Sequence, residues 1–227
     1  MVKRDVARTV AEQLLQIKAI KLQPANPFTW ASGWKSPIYC DNRKSLSYPR
    51  IRTYIRQELA KLIESKFGKP DLIAGVATAA IAQGALVAEA LGLPFCYVRA
   101  SAKDHGLQNQ IEGEAQANQS CVVVEDLIST GKSSVAAIEA LRANGVIVKG
   151  IVSIFSYGFQ IAEDNFKDAG CPVYSLSNYE LLLEVANESG YIKNEELEIL
   201  KMWRENPDTW RSEEHTSELQ SRFGISY

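Results

Sequence analysis

The run Cys121-Val122-Val123-Val124-Glu125-Asp126-Leu127-Ile128-Ser129-Thr130-Gly131-Lys132-Ser133-Ser134 constrains the fold more than any other segment. An unbroken apolar stretch bounded by turn residues is the pattern of a parallel strand buried on both faces. Two adjacent acids close it, a short turn of hydroxyls and glycine follows, and a helix begins. That turn lies at the carboxyl end of the sheet, where open α/β folds bind ligands. Backbone N–H groups at the helix start suit a phosphate. Paired carboxylates beside them suit sugar hydroxyls or a metal ion, so the segment reads as a sugar-phosphate site. The plain alternative is a core strand with a polar turn and an N-capped helix. A Walker loop is excluded: the position where G-x-x-x-x-G-K-[ST] needs its first glycine holds Asp126, and an acid there repels a triphosphate.

A second segment, Arg99 to Glu114, follows an expected strand from Pro94 to Val98. It is long, polar and weakly periodic, and loops of this kind inside a compact domain are usually functional or disordered. Arg99, Lys103 and His105 sit in it at spacings of four and two residues. Three cations on one loop suit a pyrophosphate leaving group.

The strand and turn resemble the 5-phosphoribosyl-1-pyrophosphate (PRPP) signature of type I phosphoribosyltransferases. The loop pattern R-x-x-x-K-x-H-G and the Ile111-Glu112-Gly113 downstream resemble bacterial orotate phosphoribosyltransferases. So does Phe28-Thr29-Trp30-Ala31-Ser32-Gly33-Trp34-Lys35-Ser36-Pro37-Ile38-Tyr39, which is similar to that family's amino-terminal F-T-x-x-S-G-x-x-S-P-x-Y segment beside the pyrimidine pocket. The likeness runs from the first helix to Trp210. It implies an α/β fold of the type I phosphoribosyltransferase kind: a central, mostly parallel sheet flanked by helices, with a small hood and a mobile loop. It also implies phosphoribosyl transfer from PRPP to orotate in pyrimidine synthesis, Mg²⁺ as cofactor, and a cytoplasmic homodimer with sites shared between subunits.

By the resemblance, Glu125 and Asp126 face the ribose hydroxyls, directly or through a Mg²⁺ shell. Ser129, Thr130, Gly131, Lys132 and Ser133 cradle the 5-phosphate, with ordinary helix capping as the alternative for each hydroxyl, and Leu127 and Ile128 join them in the PRPP-binding segment. Ser129 also touches the base. Arg99, Lys103 and His105 bind pyrophosphate, and Lys103 and Asp126 are the catalytic candidates. Tyr39 borders the base or is a core aromatic. Lys35 reads as a solvated lysine or a partner for the orotate carboxylate, and Asp41 and Arg43 as an ion pair near the pocket. Trp30 and Trp34 are expected to pack the hood. Gly75 allows close approach of pyrophosphate or a tight turn. Mg²⁺ is held mainly by substrate and water, with no direct protein cage.

Departures from the family are also present. Ala31 and Ala100 stand where some members carry lysine, and Lys132 replaces a small residue in the turn. A Gly-Lys pair there also occurs in purine phosphoribosyltransferases, which keep the signature and change the base. A PRPP-sensing regulator is a further alternative, but would need a nucleic-acid-binding module or basic face.

Residues 211–227 resemble the in-frame translation of a sequencing adapter and are set aside from the domain, 1–210. The net charge of −2 argues against a general nucleic-acid binder. No apolar run is long enough to span a membrane. Cys40, Cys96, Cys121 and Cys171 lack metal spacing and read as reduced thiols. Periodicity places helices at Asp5 to Leu22, Tyr48 to Phe67, Ala77 to Leu91, Ser133 to Ala143, Phe159 to Asp168, Tyr179 to Ala186 and Asn194 to Glu205. Further strands are expected at Asp71 to Val76, Val146 to Phe155 and Pro172 to Leu176, giving a mostly parallel sheet covered on both faces.

Overall fold

The computed structural model describes residues 2–30, 33–99 and 110–210. Lys103, His105, Ala31, Ser32, Ala100 and the 211–227 segment lie outside the described residues.

Helix α1 (Arg4–Gln16) buries Val10, Ala11, Leu14 and Leu15 on one face. It is shorter than its apolar pattern suggested. After Gln16 the chain turns at Lys18, whose φ is 53°, and the Ala19 N–H donates to the Leu14 carbonyl. The apolar residues beyond it are spaced for a strand. Ile20 and Leu22 are buried around half-buried Lys21 in β1 (Ile20–Leu22). The 3.6-residue reading ran through this change of period.

Two short antiparallel ribbons form a hood. One pairs β2 (Phe28–Thr29) with β3 (Lys35–Ser36), and the other pairs β1 with β4 (Ile38–Cys40) in the register Ile20↔Cys40 and Leu22↔Ile38. A 3-10 helix, Asn42–Ser47, leads into α2 (Pro49–Phe67), which has proline in its first turn.

The main sheet contains β5 (Leu72–Val76), β6 (Phe95–Val98), β7 (Ile111–Glu112), β8 (Ser120–Ile128), β9 (Ile147–Ser156) and β10 (Val173–Asn178). Its order is β10-β9-β8-β5-β6-β7, and every pairing is parallel except β6 with β7. The chain runs from β5 outward to β6 and then returns to lay β8 on the other side of β5. The order therefore reverses between β5 and β8, which opens a crevice at their carboxyl ends. Helix α3 (Ile81–Leu91) starts four residues later than expected, because residues 77–80 form the turn beside that crevice. The remaining helices are α4 (Lys132–Ala143), α5 (Gln160–Asp168), α6 (Tyr179–Glu188) and α7 (Asn194–Glu205).

Alternation along β8 builds two cores. Val122 and Val124 pack with α1, α2, α3, α6 and α7, while Cys121 and Val123 pack with α4 and α5. On the first side lies an aromatic cluster around buried Trp203 of α7. Its ring lies 5.7 Å from Trp30, 5.6 Å from Tyr157, 5.4 Å from Phe159 and 5.3 Å from Tyr179. Trp30 also stacks on Trp34 at 6.4 Å, so both hood tryptophans are packing residues, as their sequence suggested. The cluster ties the hood to the carboxyl-terminal helix. Replacing Trp203 by alanine is expected to cost about 3–5 kcal/mol, read as a fall in denaturation midpoint with an unchanged folding slope.

Candidate active site

Strand β8 delivers its acids to the crevice. Glu125 is 4% exposed. One of its carboxylate oxygens accepts from the Ser134 hydroxyl at 2.9 Å, and the other accepts from the Asp126 N–H at 3.0 Å. Ser134 lies in the first turn of α4, so the acid and the helix that follows are fixed to each other. The carboxyls of Glu125 and Asp126 adjoin. Burial, and next the Asp126 charge, push Glu125 up to about 8. Burial also raises Asp126, against the opposing effects of the Glu125 contact, the Leu127 N–H and the Arg43 guanidinium. The pair thus holds a proton at neutral pH that isolated carboxylates would have released.

The turn Ser129-Thr130-Gly131 enters α4 without a side-chain cap. The N-cap residue is Gly131, which has no side chain to offer, so the first N–H groups of α4 stay open to an anion. Gly131 has φ +78°, and a Cβ there would lie 2.8 Å from the Phe166 ring. The turn is also braced by Asn165, whose amide donates to the Thr130 carbonyl at 2.8 Å. Both braces come from α5. Lys132 and Ser133 are exposed at the helix start.

Asn42, 1% exposed, was missed in the sequence. Its amide donates to the Asp126 carbonyl at 2.7 Å, and its oxygen accepts from the Cys40 thiol at 3.3 Å. Burial, and then the Asp126 and Asp41 charges, push that thiol well above its usual value, so it stays protonated. Asp41 and Arg43 pair at 2.7 Å, as expected. Lys35 is exposed and donates to the Thr29 hydroxyl at 2.9 Å. The glycine at position 75 makes room for protein, since a Cβ there would meet the Ala80 carbonyl at 2.9 Å and the Phe95 ring at 3.2 Å. That is the tight-turn reading.

A cavity of about 310 Å³ is lined by Thr29, Trp30, Tyr39, Cys40, Leu127, Ser129 and Tyr157. Tyr39 is 41% exposed and lies 5.5 Å from the Phe28 ring, so it is a rim residue and not a core aromatic. Ser129 and Tyr39 come from segments ninety residues apart and share this cavity. A larger groove of about 790 Å³ lies between α6 and α7, but none of the signature residues line it.

Arg99 sits at the end of β6. Its N–H donates to the Gln110 carbonyl and its carbonyl accepts from the Gln110 side chain, both at 2.9 Å. Its guanidinium pairs with Glu112 at 3.6 Å. Lys103 and His105 lie between Arg99 and Gln110 in sequence, outside the described residues. Among the described residues, no group of three or more His, Cys, Asp or Glu side chains is placed to hold a metal. Two adjoining acids fit a Mg²⁺ ion that takes its other ligands from phosphate oxygens and water.

The raised Glu125 value has a consequence for stability. The folded value lies above the ordinary 4.5, so the native state keeps a proton that the unfolded chain loses. The contribution is full below about pH 4.5 and is lost as pH rises through about 8. Glu125→Gln should flatten this slope and melt several degrees above the parent at pH 8.5, since about 1 kcal/mol is worth roughly 2–4 °C in a domain of this size. Parallel melting curves across pH 5–9 with equal slopes for parent and variant would refute the assignment.

Residues 46–176 match the phosphoribosyl transferase domain family. The chain is 57% identical over 209 residues to an orotate phosphoribosyltransferase of Bacteroides fragilis, covering 92% of this chain and 99% of the relative. It is 56% identical over 207 residues to the Porphyromonas gingivalis orotate phosphoribosyltransferase, covering 91% and 99%. The crystal structure of orotate phosphoribosyltransferase from Aeropyrum pernix superposes with a TM-score of 0.70 at 27% identity, over 81% of this chain and 99% of that one. The α/β fold as a whole is thus shared with that structure. The chain belongs to the orotate phosphoribosyltransferases of the phosphoribosyl transferase domain family.

Proposed function

We propose that the protein transfers the 5-phosphoribosyl group of PRPP to orotate, giving orotidine 5′-monophosphate and pyrophosphate. One observation carries this reading. The β8–α4 connection offers its open helix start and acid pair to a sugar phosphate, and the same turn lends Ser129 to the cavity bordered by Tyr39. One short segment can therefore hold PRPP and touch the base.

The reaction forms a bond from an orotate ring nitrogen to the anomeric carbon and breaks the bond from that carbon to pyrophosphate, which leaves with the electron pair. The chain's task is to position two anions and stabilise developing charge. Asp126 and Glu125 orient the ribose hydroxyls. Ser129 to Ser133 hold the 5-phosphate through N–H groups and hydroxyls. Arg99, Lys103 and His105 neutralise pyrophosphate, and the Lys103 ammonium follows the charge as it grows. Mg²⁺, bound with PRPP, supplies further charge neutralisation on the phosphates. We also read the protein as cytoplasmic and dimeric, with Lys103 serving the partner's site. No helix among the described residues is long and apolar enough to cross a membrane.

The test is an assay of residues 1–210 with PRPP, Mg²⁺ and each base in turn. Orotate should be consumed, with little turnover of hypoxanthine or uracil and none after chelation of the metal. Strong turnover of a purine without orotate would assign the protein to a different base. Removal of residues 211–227 should leave the melting temperature and activity unchanged, and a clear fall in either would show that this segment packs.

Three variants probe the site. Gly131→Ala places a side chain against Phe166 at a left-handed residue, and should raise the KM for PRPP by roughly tenfold or more while sparing that for orotate. Lys103→Ala and Asp126→Asn chains, each nearly inactive, should regain part of the activity when mixed as hybrid dimers if the loop acts across the interface. No recovery in dimers verified by native mass spectrometry would place Lys103 in its own subunit's site.

A further inference from the structure

Gln83 is a buried polar residue that none of the above uses. It lies on α3 and is 2% exposed, and neither its amide oxygen nor its amide nitrogen has a hydrogen-bond partner. Leaving both groups of an amide dry and unpaired costs on the order of 1–3 kcal/mol each. Among the described residues, Gln13 and Ser177 also leave one buried polar atom each without a hydrogen-bond partner, but Gln83 leaves two, and that cost calls for an explanation.

The side chain lines a narrow crevice shared with Asn42, Arg43, Ser45, Ala79 and Asp126. The crevice has no room for a water molecule, so the partner must come from its own walls. Most of the polar groups there are already engaged. The Asn42 amide spans the Asp126 carbonyl and the Cys40 thiol. The Ser45 hydroxyl donates to the Asn42 carbonyl at 2.6 Å. Arg43 uses its Nε on Asp41 and keeps its other N–H groups. The Asp126 carboxylate keeps lone pairs. Gln83, with one donor group and one acceptor, thus shares this crevice with Asp126 and Arg43.

We propose that Gln83 is a positioning residue for Asp126. When the sugar phosphate binds, the Gln83 amide N–H donates to the Asp126 carboxylate and its oxygen accepts from Arg43. The amide then bridges the two charges and fixes the carboxylate toward the ribose hydroxyls. This inference rests on the proposed PRPP site.

The test uses Gln83→Leu, which keeps the volume and removes both polar atoms, in the parent and in an Asp126→Asn background. PRPP binding to all four full-length proteins is measured by calorimetry with Mg²⁺, beside steady-state kinetics of the parent and Gln83→Leu. The expected result has three parts. Gln83→Leu melts at or above the parent, since an unsatisfied amide has gone. It weakens PRPP binding by roughly tenfold, about the worth of one hydrogen bond to a charged group, with the KM for orotate unchanged. In the Asp126→Asn background it has less than about a twofold further effect, because the group it acts through is lost. Gln83→Met should behave like the leucine variant, and serves if leucine disturbs packing. Equal PRPP affinity in parent and Gln83→Leu would overturn the proposal, and so would full additivity with Asp126→Asn. A parent protein that binds no PRPP would instead defeat the underlying site assignment, so the two failures are distinguishable.

Discussion

Two carboxyl groups side by side at the buried end of a strand are expensive, and much of the local structure answers that cost. Neither Glu125 nor Asp126 faces a full counter-charge. Ser134 and the Asp126 N–H satisfy Glu125, Asn42 holds the Asp126 carbonyl, and Arg43 gives Asp126 a distant positive charge. Burial raises both acids because these supports are incomplete. In the proposed reaction the acids are held ready, by neighbours on α4 and on the 3-10 helix, for the hydroxyls of the ribose. Local stability is given up for a site, the usual relation where polar groups are kept dry for binding.

The supports arrive from both sides of the sheet. Helix α4 presents Ser134 and α5 braces the turn through Asn165 and Phe166 on one face. The hood presents Asn42 and Arg43 on the other, anchored through Trp30 to the aromatic cluster at Trp203. Each carboxylate neighbour therefore moves with a separate packed element.

Legibility followed the range of the interactions. The strand β8, its acids and the turn after them were readable because everything that defines them lies within fourteen consecutive residues. Helix α7 was placed to the residue because its periodicity and its flanking polar residues agree. The amino-terminal helix was overextended because Ile17, Ala19, Ile20 and Leu22 satisfy a helical count while their true partners, Ile38 and Cys40, lie about twenty residues onward. Asn42, Asn165 and Ser134 carry no local mark of their roles; an asparagine in a polar stretch becomes a brace only when the fold brings a carbonyl to it. Gly75 was legible as a special position, but only the placement of Phe95 and Ala80 decided what occupies the space it leaves.

The reciprocal bonds between Arg99 and Gln110 bring together two residues eleven positions apart at the outer edge of the sheet. The Arg99–Glu112 ion pair repeats that closure two residues further along. Backbone, amide and ion pair thus hold the same stem, so exchanging any one of these side chains leaves the others to keep β6 and β7 in register.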